Sequence, residues 1–197
     1  MPPNPPTADE TRIRILTEAE RLFRHYGYSK TTVADIADAC RMSPANVYRF
    51  FASKSQITEA ICKHIISDLE MRLRKIAAED APASERLTDF IRLIASHTLE
   101  VLIDQKKVHE MVVVAMEENW DAIKLHIEAT AAIIAAIIVS GIESGEFRHQ
   151  DVSTAARCVC ASIAALKHPV LVAQCRDDPT QPSPDEMAAF LISALKA

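Results

Sequence analysis

Glycine is scarce in this chain of 197 residues: there are three, and the ten prolines gather mainly at Pro2–Pro6 and Pro179–Pro184. The long stretches between are free of helix breakers, and no alternation of apolar and polar residues marks a strand, so an all-α fold is expected. Short catalytic signatures are missing too. No nucleophile, base or metal-ligand set sits at a telling spacing, which argues against an enzyme. His-x-x-x-His does not occur, and the one Glu-x-x-His, Glu146 to His149, follows Gly145 in a loop, whereas a di-metal bundle needs two such pairs on facing helices. Neither a metal nor another cofactor is therefore expected. The five cysteines, at 40, 62, 158, 160 and 175, are odd in number and form no C-x-x-C. Reduced structural thiols follow. The opening MPPNPP has no apolar targeting core, and the run ATAAIIAAIIVSGI from Ala129 spans about 14 residues, short of a bilayer. The sequence thus predicts a cytoplasmic protein with no membrane contact, in which that run is the central core helix.

What is present suffices for a sizeable core: 49% of residues are hydrophobic and 25% charged. The net charge of −5 is unevenly spread. Residues 1–56 carry eight Lys and Arg against six Asp and Glu, a net of +2, so the acid lies in the remainder. A local basic face rather than the total charge decides affinity for phosphate, and here Lys30, Arg41, Arg49 and Lys54 supply it.

The organising stretch is Thr31 to Lys54, TTVADIADACRMSPANVYRFFASK. Val33, Ile36, Ala37 and Cys40 recur at i, i+3, i+4 and i+7, one face of a short helix opened by Thr31 or Thr32. After a break at Arg41-Met42, Ser43 suits an N-cap and Pro44 the first turn of a second helix. In that helix Val47, Phe50 and Phe51 turn inward, while Ala45 and Arg49 point outward, flanked by Asn46 and Tyr48. Two helices joined by so short a turn let the second enter a DNA major groove. Arg49 can donate twice to a guanine edge, Asn46 can read adenine or hold a phosphate, and the Ala45 methyl permits close approach, with Tyr48 and Lys54 suited to phosphates.

This segment, with Phe23 and Gly27 upstream, resembles the DNA-binding region of the TetR family of bacterial transcriptional regulators. The matching residues are Phe23, Gly27, Thr32-Val33, Ile36-Ala37, Tyr48, Phe51 and Ser53-Lys54. The resemblance covers about the first 60 residues. It implies groove or phosphate contacts from Pro44, Ala45, Asn46, Tyr48 and Lys54, with Thr32 near a phosphate, and a homodimer formed through the last two helices. The family usually places glycine in the turn, where this chain has Arg41. Either Arg41 takes a left-handed conformation at a cost of about 1 kcal/mol, or the turn differs.

The first helix should open at Thr7, paired with Glu10 in a capping box, and close at Gly27. A second capping box, Ser53 with Gln56, should start a long connecting helix to about Ala78, whose tilt would move the recognition helix unless it is a rigid strut. Further helices are expected at about 84–104, 106–119, 121–144, 152–172 and 184–197. His97, His109 and His126 each fall on an apolar stripe. With Met116, Trp120 and Thr130 they are candidates to line a cavity for a ligand, although each alone is more often a hydrogen-bonded core histidine. The stripes Ala155, Ala156, Val159, Ile163, Leu166 and Met187, Phe190, Leu191, Ala194, Leu195 are candidates for a partner surface or for closure of the monomer's own core.

The organisation expected is a helix-turn-helix DNA-binding domain at 1–53 and a helical ligand-binding and dimerisation domain at 54–197. The function expected is a dimeric repressor, released from double-stranded operator DNA by a small apolar or amphipathic ligand. The alternative is a helical enzyme or carrier using a histidine-lined cavity.

Overall fold

The computed structural model describes residues 7–103, 113, 114, 116, 120–175 and 177–196, and those residues are helical or in turns, with no strand among them. His109 lies outside them, as does most of the helix expected at 106–119. Described residues up to Ile65, together with 113, 114 and 116, form one compact unit, and those at 66–103 and from Trp120 onward form a second.

The first unit holds α1 (Ala8–Tyr26), α2 (Val33–Ala39), α3 (Pro44–Tyr48) and the opening half of α4 (Lys54–Ala77). Thr7 caps α1 through its hydroxyl, with the Glu10 carboxylate reaching back to the Thr7 N–H at 2.7 Å, and the helix stops at Gly27, whose φ of 96° few other residues adopt. Ile15, Ala19, Leu22 and Phe23 on α1 are buried, as are Ile36 and Ala37 of α2, Val47 of α3 and Phe51 beyond it. Removing this much apolar surface from water, roughly 1.5–3 kcal/mol for each large side chain, is what holds the short α2 and α3 in place. The start of α4 departs a little from a capping box. Ser53 does accept from the Gln56 N–H at 3.2 Å, but the Gln56 side chain bonds the N–H of Ala52, one residue before the cap.

In the second unit the rest of α4 is joined by α5 (Ala83–His97), a π-helix (Thr98–Ile103), α6 (Trp120–Glu143), α7 (Val152–Ser162), α8 (Ala164–Lys167), α9 (Pro169–Cys175) and α10 (Pro184–Leu195). The core joins Leu69 and Leu73 of α4, Leu87, Phe90, Ile91 and Ile94 of α5, and Ile133, Ile134, Ile137 and Ile138 of α6. Helix α6 corrects the sequence reading of this region: its apolar stretch Ile123–Glu143 runs 21 residues, long and apolar enough by composition to cross a membrane. Counting from Ala129 had left out Ile123, Leu125 and Ile127. Ile133, Ile134, Ile137 and Ile138 nonetheless lie in the core of this unit, the placement of a central helix.

Glu146 and Arg86 secure helix ends from outside the helices they hold. The Glu146 carboxylate accepts the N–H groups of Ala83 and Ser84 at 2.6 and 3.0 Å, capping α5, whose preceding residue Pro82 offers no side-chain cap. Arg86 donates to the Ala77 carbonyl at 2.7 Å, where α4 ends, and to the Ser140 hydroxyl of α6. A positive charge at a helix C-terminus is favourable for the same reason a carboxylate suits an N-terminus. Gly141 is required by packing: a Cβ there would lie 2.3 Å from the Phe147 ring.

The single helix expected over 152–172 is three. Pro169 cannot continue a helix and forces His168 into an extended conformation, φ −82° and ψ 117°, while Ile163 at φ −83° and ψ 9° marks the earlier break. The stripe on this segment also has a different role from a partner surface. Ala156, Val159 and Ile163 are buried in this unit's own core, as are Leu191 and Leu195 of α10, whereas Phe190 is 68% exposed and Ala194 is exposed. A burial stripe says that a face is covered but not by what, and here the chain covers most of it itself.

Candidate nucleic-acid interface

Helix α2 begins at Thr32, whose hydroxyl accepts from the Asp35 N–H at 3.2 Å and donates to the Asp35 carboxylate at 2.7 Å. Hydrogen bonds from Thr32 hold that carboxyl below its ordinary value. The helix ends in a Schellman arrangement: the Met42 N–H donates to the Ala37 carbonyl at 2.9 Å and the Arg41 N–H to the Asp38 carbonyl at 3.0 Å. Between them Arg41 has φ 54°, so of the two alternatives for this turn the left-handed arginine is the one observed. The turn keeps the shape glycine would give it, at the steric cost of a side chain.

Ser43 then caps α3 through the Asn46 N–H at 3.3 Å, with Pro44 in its first turn. Five residues long, α3 is anchored on one side by Val47 and leaves Pro44, Ala45, Tyr48 and Arg49 exposed, Tyr48 by 51%. Asn46 is half-buried, and its amide leans on the Met42 sulfur at 3.8 Å. The segment after α3 is fixed by Arg12, which donates to the Phe50 carbonyl at 3.2 Å and stacks 4.3 Å from the centroid of the Phe51 ring. No sequence pattern pointed to Arg12, because its partners lie 38 residues further on.

Thr32 and Lys54 have structural work of their own. The Thr32 hydroxyl proton is directed at Asp35. The Lys54 ammonium donates to the Tyr28 carbonyl at 2.5 Å, lies 3.9 Å from the Tyr28 ring centroid, and is half-buried, which lowers its pKa. It ties the start of α4 to the loop between α1 and α2, and two of its three donors remain for other partners.

Of the candidate ligand-contacting residues, the second unit holds His97, Trp120, His126 and Thr130. His97 is 5% exposed and its Nδ1 has no hydrogen-bond partner among the described residues. Burial chiefly pushes its pKa down, Arg72 and His126 acting in the same sense and Asp68 and Glu100 against it. His126 Nδ1 lies 2.9 Å from the Glu70 carboxylate, and the buried Thr130 hydroxyl donates to the His126 carbonyl at 2.8 Å. Met116 is helical and half-buried but groups with the first unit. Trp120 opens α6, its side chain lying outside the described residues. Among the described residues no cluster of His, Cys, Asp and Glu could hold a metal ion.

A short exposed helix, held at a fixed angle to its neighbour by a Schellman turn, defines a helix-turn-helix protein built to bind DNA. Residues 15–61 match the family described as bacterial regulatory proteins, tetR family, and residues 83–188 match the tetracyclin repressor-like C-terminal domain. The chain belongs to the TetR family, and its function is DNA-binding transcriptional regulation. It is 29% identical over 165 residues to the HTH-type transcriptional repressor KstR2 of Rhodococcus jostii, covering 78% of this chain and 79% of that protein. Among solved structures it resembles a transcriptional regulator from Cytophaga hutchinsonii, with a TM-score of 0.73 at 20% identity over 93% of this chain and 97% of that one. It also resembles Thermus thermophilus FadR in complex with lauroyl-CoA, with a TM-score of 0.61 at 18% identity over 92% and 91% of the two chains.

Proposed function

We propose that this regulator is a repressor that binds operator DNA as a homodimer and lets go when an apolar or amphipathic small molecule enters its second domain. The observation that carries the reading is the bare outer face of α3, where Ala45, Tyr48 and Arg49 stand exposed on a helix whose inner face and both ends are fixed. Arg49 reads a base, Ala45 allows close approach, and Pro44, Asn46, Tyr48, Thr32 and Lys54 line the backbone contacts, Lys54 with the donors that Tyr28 leaves over. The domains fall at 1–53 and 54–197, and the protein works in the cytoplasm, where its operator is.

Five helical residues read too little sequence to bind tightly alone, and a two-fold dimer that spans two half-sites supplies the rest. Its surface is the exposed side of the last helices, with Phe190 and Ala194 on α10 and Cys158 and Ala161 on α7, because their buried sides already close the monomer. In support of repression, the KstR2 of Rhodococcus jostii is named a repressor, and in support of a ligand site, Thermus FadR was solved with lauroyl-CoA. A ligand controls DNA binding only if it prefers one of two states, and the coupling must be reciprocal. Fluorescence of the sole tryptophan, Trp120, during a ligand titration with and without saturating operator tests this. Ligand affinity should fall by the same factor as operator affinity, about 5- to 150-fold for a typical coupling. Equal affinities in the two titrations would remove the mechanism.

A further inference from the structure

Arg41 is the one residue other than glycine, among those described, whose φ is positive. Glycine holds such an angle freely, whereas any Cβ crowds the backbone there. The bonds from the Arg41 and Met42 N–H groups back to Asp38 and Ala37 fix the turn, so the side chain has no say in its shape. Strain of this kind collects at working sites, where the residue that bears it has something to do.

Nothing inside the protein uses the guanidinium. Arg41 is exposed and its side chain has no ion pair, hydrogen bond or ring contact among the described residues, even though Asp38 stands three residues back. The other cations of the first unit sort in a telling way. Arg21, Arg24 and Lys63 pair with Glu18, Glu20 and Glu59, each within its own helix. Arg12 and Lys54 bond the carbonyls of Phe50 and Tyr28. Arg14, Lys30, Arg41 and Arg49 have no side-chain partner of either kind, and the last three fall in the helix-turn-helix segment itself. Arg41 stands two residues before Ser43, the cap of α3. In a helix-turn-helix the recognition helix enters the groove by its N-terminal residues while the helix before it crosses the backbone. The turn between them lies at the rim of the groove, where a long cationic side chain meets phosphates before bases.

We propose that Arg41 grips a phosphate at the rim of the major groove, a contact that glycine, the residue this angle favours, could not make. It rests on the reading of α3 as the recognition helix and adds one backbone contact in each protomer to those named above.

The test measures binding of the full chain to a fluorescein-labelled, mixed-sequence duplex of about 30 base pairs, because a phosphate contact carries no sequence information. Anisotropy titrations between about 50 and 200 mM salt give the salt slope for wild type, Arg41→Gln, Arg41→Gly, Arg41→Lys and Arg21→Gln. For each Arg41 engaged, the Gln and Gly variants should lose about 0.9 from the slope and about eightfold in affinity at about 0.1 M salt, the difference closing toward about 1 M. Arg41→Lys keeps the charge and should keep the slope. Arg21→Gln removes the same charge from an ion pair within α1 and should leave the slope unchanged. Glycine relieves the turn while removing the cation, so weaker binding by a variant that unfolds in urea no earlier than wild type separates a DNA contact from a role in the fold. That variant also carries the test if Arg41→Gln fails to fold. Wild-type affinity in Arg41→Gly, a wild-type slope in both uncharged variants, or an equal fall in Arg21→Gln would each overturn the proposal. Wild-type protein without salt-dependent binding would refute the DNA-binding surface itself, whereas wild-type binding with unaltered slopes in the Arg41 variants refutes this contact alone.

Discussion

The Lys54 ammonium sits 2.5 Å from the Tyr28 carbonyl oxygen and over the Tyr28 ring, so a residue suited to a phosphate also fastens the start of α4 to the loop before α2. Lys54→Met should therefore have two separable effects. DNA binding should weaken alike for operator and random sequence, with the salt slope falling by about 1, and the head should lose about 1–2 kcal/mol of stability from the charge-assisted bond. Filter binding at several salt concentrations and urea denaturation measure the two. A weaker affinity with unchanged stability would mean that the Tyr28 contact contributes nothing.

Arg41 holds a backbone angle that glycine adopts freely. Arg41→Gly should raise the urea midpoint by an amount equivalent to about 1 kcal/mol, and Arg41→Ala should not, because any Cβ meets the same crowding. If the guanidinium also lies along DNA, the glycine variant should bind less well while being more stable, the usual exchange at a functional surface. No rise in midpoint would show that the turn carries no strain.

Glu146 makes the second unit sensitive to acid. Burial by itself would push its carboxyl up, but the bonds from Ser84 and Ala83, with Lys196 nearby, outweigh it and leave the folded value below the ordinary 4.5. A depressed carboxyl stabilises the fold above its unfolded value and loses that contribution as pH falls through the folded one. Glu146→Ala should cost roughly 0.5–2 kcal/mol at pH 7, as for other lost caps. The gap between variant and wild type in thermal unfolding should narrow below pH 4.5. A gap independent of pH would mean that the charge is not what caps α5.

Phe190 and Leu191 are neighbours with opposite surroundings, one 68% exposed and the other 5%. Phe190→Glu should give a folded monomer by light scattering that binds operator weakly. Leu191→Glu should unfold the second unit, since an unpaired charge in its core costs several kcal/mol. A Phe190→Glu protein that remains dimeric would move the interface elsewhere.

The head was legible because its signals are local. Thr7 with Glu10, Gly27, Thr32 as one of two candidate starts, and Ser43-Pro44 each act within four residues, and the structure uses every one. Arg41 was legible as a pair of alternatives, since sequence shows a missing glycine but not how the backbone absorbs it. The contacts that join distant segments were not legible: Arg12 with Phe50, Glu70 with His126 and Glu146 with Ala83 span 38, 56 and 63 residues. Pro169 was legible and should have ended the helix drawn through it, whereas the break at Ile163 has neither glycine nor proline to announce it.

The π-helix at Thr98–Ile103 bears on how this chain tolerates changes in length. A π turn accommodates one residue more than the α turn it replaces. Deleting a single residue there can relax the segment to ordinary helix without disturbing what precedes it. The same deletion in the middle of α5 would rotate Leu87, Phe90, Ile91 and Ile94 by about 100° relative to one another across the cut, and part of the core stripe would face water. The six residues after His97 are thus a point where a codon can be lost or gained at small cost, a natural place for relatives of this regulator to vary in length.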